Sequence, residues 1–130
     1  SLIPHEGIEV ETSIEPEDTM LYADRALMSQ VMVNLLKNAT EALLAQDCDR
    51  KITIRSTIDA AARIQIEITN NGSAIPAEVA ENIFTPFFTT KTDGSGIGLA
   101  VSRQIIRLHG GTLRLKHNEE GMVTFAVVVE

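Results

Sequence analysis

The chain has no tryptophan, one tyrosine and four phenylalanines among 130 residues, so aliphatic side chains have to build its interior. It has one cysteine, Cys48 in the polar segment QDCDR, which excludes an internal disulfide and suits a reducing, cytoplasmic setting. Cations are scarce: 11 Lys and Arg against 18 Asp and Glu leave a formal charge of −7. That balance argues against general affinity for nucleic acid or an anionic membrane, so any bound anion has to be held by local geometry. No apolar run approaches the roughly 20 residues that cross a bilayer, and Ser1 opens no signal-peptide pattern. No direct membrane contact by this segment is therefore expected. A start without an initiator Met suits a piece of a longer protein, whose membrane anchoring stays open.

What is present describes one globular domain over residues 1–130, with 44% hydrophobic and 22% charged residues. Residues 7–14, GIEVETSI, alternate with the period of a strand that has one wet face. His5-Glu6, just before it, resembles a phospho-accepting pair, but Pro4 and Gly7 forbid the long helix such a histidine needs. Beyond EPEDT, Asp24 is placed as an N-cap, and Leu27, Met28, Val31, Met32, Leu35, Leu36, Ala39, Ala42 and Leu43 recur at helical spacing over about six turns. Asn34 and Asn38 stand one turn apart on another face, with Lys37 and Glu41. Asparagine is a poor helix former, so the pair fits either a plain solvated face or a binding role.

KITIRSTI and RIQIEIT, residues 51–58 and 63–69, read as a hairpin, followed by turn residues Asn70, Asn71 and Gly72 in NNGSAIP. Pro76 opens a short helix over residues 76–83, and FTPFFTTKTDG follows it, either as a loop anchored by its phenylalanines or as a hinge carrying Lys91 towards phosphates. GSGIGLA, residues 94–100, then leads a second amphipathic helix to His109, Gly110 and Gly111, with His109 in a position favourable to a cation. TLRLK and MVTFAVVV close the chain as an antiparallel hairpin around NEEG. Glycines spaced G-x-G-x-G ahead of a helix leave unhindered N–H groups where partial positive charge gathers. Taken alone, Gly94, Gly96 and Gly98 fit a phosphate seat or a flexible loop equally well.

The order of these stretches, NLLKNA, NNGSAIP, PFFTTK and GSGIGLA, resembles the catalytic and ATP-binding domain of sensor histidine kinases, in the superfamily shared with gyrase, the Hsp90 chaperones and MutL. The likeness runs from residue 7 to residue 129. It implies a Bergerat-type ATP-binding fold: an α/β two-layer sandwich in which a mixed, mainly antiparallel sheet of about five strands is covered on one face by three helices. It also implies ATP and Mg²⁺ as cofactors. Asn38 matches the asparagine whose oxygen reaches Mg²⁺, and one amide suffices for a hard ion that keeps several waters.

Asn34 matches the position where hydrolytic relatives carry a Glu that activates water. An amide cannot act as that base, which favours phosphoryl transfer over hydrolysis. Lys91, in the matched lid with Phe88, Thr89 and Thr90, is assigned to the terminal phosphates. Backbone around Gly94, Ser95, Gly96, Ile97, Gly98 and Leu99 faces it, and Lys37 joins the phosphate side.

Asn70 stands where the family typically has an Asp that accepts from the adenine amino group; the neutral amide keeps an acceptor, but its hydrogen bond is about half as strong. Weak nucleotide binding is the expected result. Gly72, Ala74 and Ile75 are assigned to the base pocket, with Ala74 where Gly is usual, and Thr124 is matched to a threonine near the adenine. The implied function is transfer of the γ-phosphoryl group to a histidine of a separate dimerisation and phosphoacceptor domain outside this segment, and through it to a response regulator. A degenerate nucleotide-binding regulatory module and an anti-sigma-factor-type serine kinase are the alternatives.

Overall fold

The structure, a computed structural model, describes residues 7–15, 24–46, 49–86 and 98–129. Alternating apolar residues form five strands: β1 (Ile8–Ile14), β2 (Arg50–Ile58), β3 (Ile64–Asn70), β4 (Thr112–Glu119) and β5 (Met122–Val129). The helices are α1 (Arg25–Leu43), the single-turn α2 (Ala77–Ala80) and α3 (Gly98–Leu108). The sheet order is β1-β2-β3-β5-β4, with β1 parallel to β2 and the other pairs antiparallel. This is the mixed two-layer sandwich expected from the sequence.

Each strand sends alternate side chains to opposite faces. On the helix side, Ile52, Ile68, Phe125 and Val127 are at most 2% exposed and pack with Val31, Leu35 and Leu43 of α1 and Ile105 and Ile106 of α3. Burying each such side chain stabilises by roughly 1.5–3 kcal/mol. The far face is polar: Thr69 and Thr124 share a hydroxyl hydrogen bond of 2.8 Å, Lys51 pairs with Glu11 at 2.9 Å, and Lys116 pairs with Glu67. Beside the other strands β1 is barely buried, with only Ile8 enclosed and Val10 and Ile14 at 39% and 44% exposure. It pairs with β2 alone among the described strands, so it gains one neighbour where a central strand gains two.

The turn after α3 requires glycine twice. Gly110 has φ +75, and a Cβ at Gly111 would lie 2.3 Å from the Val128 carbonyl oxygen, so the chain can pass β5 this closely only without a side chain. His109 differs from the helix-end cation expected of it. Its Nδ1 sits 2.8 Å from the Ile105 carbonyl, and its Nε2 accepts the Asp24 N–H at 3.1 Å, which requires a neutral ring that donates from Nδ1. The residue therefore ties the end of α3 to the start of α1.

Burial pushes the Glu67 carboxyl up, but the Lys116 ammonium and the Gln65 amide pull it further down, so its net position is below the ordinary 4.5. A depressed carboxyl contributes stability that is present above its unfolded value and is lost as pH falls through the folded one. Lys116→Met should thus cost about 1 kcal/mol at neutral pH in urea unfolding. The gap from wild type should close on acidification, and a gap unchanged in acid would mean that lost packing, not the ion pair, is responsible.

Candidate functional site

α1 is positioned at its start by Asp24, whose backbone is extended (φ −67, ψ 117) and whose Oδ1 accepts the Leu27 N–H at 3.0 Å. Its apolar stripe lies on the sheet, which leaves Asn34 and Asn38, half-buried and one turn apart, along the edge of that stripe. The Asn34 Nδ2 donates to the Gly98 carbonyl and to the Ser102 Oγ, both at 3.1 Å, and Ser102 is fully buried. The amide face of the long helix and the first turn of α3 are thereby clasped together. The first turn of α3 has no acidic side chain to offset its partial positive charge. A Cβ at Gly98 would meet Asn34 no closer than 3.8 Å, an ordinary contact, so packing between the helices does not require glycine there.

Eight residues further along α1, Ala42 and Leu43 meet the loop after β3. A Cβ at Gly72 would lie 2.9 Å from the Asn70 Oδ1, so a side chain there would displace the Asn70 amide, while the 3.5 Å it would leave to the Ala42 carbonyl is an ordinary contact. Asn70 is 2% exposed, and its Oδ1 accepts the Gly72 N–H at 2.9 Å in an Asx turn. At a rise of 1.5 Å per residue, the Asn34 and Ala42 ends stand about 12 Å apart along the helix. Asn38 lies midway and its side chain makes no hydrogen bond to a described residue, while Lys37 is exposed on the same helix.

The loop itself is held from two sides. Asn71 accepts the Lys51 N–H on its Oδ1 at 2.8 Å, donates its own N–H to the Lys51 carbonyl at 3.2 Å, and bonds the Asp49 carbonyl through Nδ2. The β4–β5 turn grips the other side. Asn118 accepts the Ile75 N–H at 2.7 Å and donates to the Ile75 carbonyl at 2.9 Å, Glu120 accepts the Ala74 N–H at 3.2 Å, and Gly121 donates to the Gly72 carbonyl at 2.9 Å. Asn118 and Glu120 escaped the sequence reading, which took NEEG as a plain hairpin turn. A two-residue grip across 43 positions leaves no local signal.

Thr124 has to be corrected. Asn70 lies opposite Val123 in the ladder, and Thr124 lies opposite Thr69, so Thr124 points to the face away from the helices and bonds Thr69 instead. One step along a strand reverses the side, and the position beside Asn70 on the helix side belongs to Val123. Ile75 and Leu99 are half-buried against the core. So is Phe84, edge-on to Phe125 with centroids 6.2 Å apart and with the Arg103 guanidinium 5.0 Å from its ring centre. Phe88, Thr89, Thr90, Lys91, Gly94, Ser95, Gly96 and Ile97 lie outside the described residues.

Helices packed on one face of a mixed five-stranded sheet, with the long helix clasped to a glycine-led one, define an α/β sandwich class of fold. Residues 23–130 match the family described as histidine kinase-, DNA gyrase B-, and HSP90-like ATPase. The chain belongs to that family. Within it, the chain is 38% identical to the sensor protein FixL of Bradyrhizobium diazoefficiens, over 92% of this chain and 24% of FixL. It is 36% identical to the signal transduction histidine-protein kinase AtoS of Escherichia coli, over 91% of this chain and 19% of AtoS. The nucleotide-free catalytic domain of the histidine kinase ThkA superposes with a TM-score of 0.82 at 38% identity, covering 95% of this chain and 78% of that one. ThkA in complex with the response regulator TrrA gives 0.74 at 36% identity, over 94% and 34%. The chain spans about a quarter or less of the length of these two curated relatives. Among the described residues no helix is long and apolar enough to cross a membrane, and no cluster of three His, Cys, Asp or Glu side chains forms a metal site.

The clasp makes a testable demand on polarity. Asn34→Asp places a carboxylate against the Gly98 carbonyl and loses both donated hydrogen bonds, so thermal unfolding should show about 1–3 kcal/mol of destabilisation at pH 7. Protonating the new carboxyl in acid should restore part of it. An unchanged Tm would mean that Asn34 does not hold the two helices.

Proposed function

We propose that this segment is the catalytic and ATP-binding part of a longer sensor histidine kinase, holding Mg-ATP between α1 and α3 and presenting its γ-phosphoryl group to a histidine elsewhere in the parent protein. The observation that carries the proposal is the Asn34 clasp onto Gly98 and Ser102, because it sets an amide-bearing helix face against a helix start whose first turn is free of acidic side chains. Phosphates are favoured at such a start by unsatisfied N–H groups and the helix dipole. Close helix packing does not explain glycine at position 98, and the approach of a phosphate to the backbone does. The base then falls at the other end of α1, near Asn70, Gly72, Ala74 and Ile75, and the 12 Å between the ends, by helix rise, is nucleotide-sized. Lys37, and Phe88 to Lys91 with Gly94 to Ile97, remain assigned to the phosphate side.

The Asn38 amide, half-buried on the same helix face and unbonded by any described residue, fits an ion that needs few protein oxygens. Asn38 would hold Mg²⁺ there, and the ion would supply positive charge to offset that of the phosphates. The Asn34 Nδ2 is committed to α3, and an amide oxygen is not a general base, so neither Asn34 nor Asn38 activates water. They bind and orient, which suits transfer to a protein nucleophile over hydrolysis. Of the relatives described above FixL is a sensor protein, AtoS is a signal transduction histidine-protein kinase, and the histidine kinase ThkA was solved with a response regulator. On that likeness the acceptor is a histidine in a dimerisation and phosphoacceptor domain, and the phosphoryl group passes on to a response regulator in the cytoplasm.

Isothermal titration with ATP and Mg²⁺ tests the site. Asn38→Ala should weaken Mg-dependent ATP binding about tenfold while changing metal-free binding little, because one amide–ion contact is worth about 1.5–3 kcal/mol at most. Equal affinity in the two proteins would remove Asn38 from the metal site.

A further inference from the structure

We infer that Asn118, on β4, is a positioning residue for the base end of this site: it holds the loop of residues 72–75 in the shape that meets a purine, and it acts through Ile75 without contact of its own with the ligand. The inference rests on the nucleotide reading above and concerns what keeps that end of the site in shape. Leu113 and Leu115 lie opposite Val127 and Phe125, on the helix side of the sheet, and strict alternation would send His117 to that side and Asn118 to the other. The register shifts between Leu115 and His117, and with Lys116 as the extra residue the order is reversed: His117 falls opposite Thr124, and Asn118 opposite Val123. Val123 in turn lies opposite Asn70. Asn118, Val123 and Asn70 therefore form one row across β4, β5 and β3 on the helix side, with the two asparagines about 10 Å apart by strand spacing.

The loop after β3 runs from one end of this row to the other. At its near end the Asn70 Oδ1 accepts the Gly72 N–H at 2.9 Å; at its far end the half-buried Asn118 takes both main-chain groups of Ile75, the N–H at 2.7 Å and the carbonyl at 2.9 Å. Residues 72–75 belong to no helix and no strand, so these bonds are what give the loop its shape. Glu120 and Gly121 each add one bond, to Ala74 and Gly72. Asn118 alone in that turn adds two to one residue, which fixes the orientation of Ile75 as well as its place. A loop without this hold has to be ordered when the base arrives, and affinity falls by that cost. The phosphate end stands apart, because the clasp between α1 and α3 has no bond to the β4–β5 turn among the described residues.

The test titrates the 130-residue chain and its Asn118→Ala variant with ATP and with CTP in Mg²⁺, because the two nucleotides share the ribose and the triphosphate and differ in the base. The expected result is an ATP Kd about tenfold higher in the variant, the worth of one to two neutral hydrogen bonds, with the CTP Kd within about twofold of the wild type. In hydrogen exchange the Ile75 amide should lose its protection while the amides of β3 keep theirs, which separates a loosened loop from a loosened fold. Glu120→Ala, at an exposed turn residue that accepts the Ala74 N–H, should move ATP the same way by about twofold to threefold, and it carries the comparison should Asn118→Ala not fold. Unchanged ATP affinity, an equal loss for ATP and CTP, or an Ile75 amide still protected without Asn118 overturns the inference, while ATP binding by the wild type leaves the nucleotide reading standing. A wild type that binds no ATP overturns both.

Discussion

Two hydrogen bonds from one amide set the distance between the two helices that matter. The Asn34 Nδ2 has two protons and gives one to the Gly98 carbonyl and the other to Ser102, so the start of α3 is fixed to the middle of α1. Ser102 is wholly buried, so loss of the Asn34 amide leaves its hydroxyl desolvated without that partner. The rest of the cleft follows from the stiffness of α1. With one point of the helix pinned, its regular rise carries Asn38 and then Ala42 to fixed stations along the same line.

The far station is built differently. At the loop after β3, backbone groups are held one by one: Gly72 by Gly121, Ala74 by Glu120, Ile75 twice by Asn118, and Asn71 by the first residues of β2. These partners come from β2 and the β4–β5 turn, at opposite sides of β3, so the loop is suspended between two parts of the sheet. Such tethering lowers the ordering cost of any binding at the proposed site, because the loop backbone is already in place. Gly72 is where this tethered loop and α1 touch, and the 2.9 Å that a Cβ would leave to the Asn70 oxygen ties the residue at that point to the Asn70 turn.

Most of the fold was legible because its elements obey simple periods. The alternation in residues 51–58 and 122–129 and the three-and-four spacing from Leu27 to Leu43 gave strands and a helix close to those observed. The glycines after His109 marked a real constraint, since the chain passes 2.3 Å from where a Cβ at Gly111 would touch the Val128 carbonyl. Thr124 was misplaced because motif matching picks a residue type, whereas the pleat decides the side, and one step separates Val123 from Thr124. His109 was read from the helix dipole, a weak and screened effect; a direct N–H from Asp24, 85 residues away, outweighs it. Asn118 and Glu120 were invisible for the same reason of distance. Contacts between remote turns have no period to betray them.

The edge position of β1 has a consequence for how firmness is shared through the molecule. With one enclosed side chain and a single ladder, that strand can peel from β2 without opening the interior, whereas β3 and β5, flanked on both sides and roofed by α1, part only when everything does. The described residues assigned above to the proposed site sit on α1, at the start of α3, at the end of β3 and in the loop after it, none of them on β1. Fraying at the rim therefore stays local, and the clasp between α1 and α3 is left as it was.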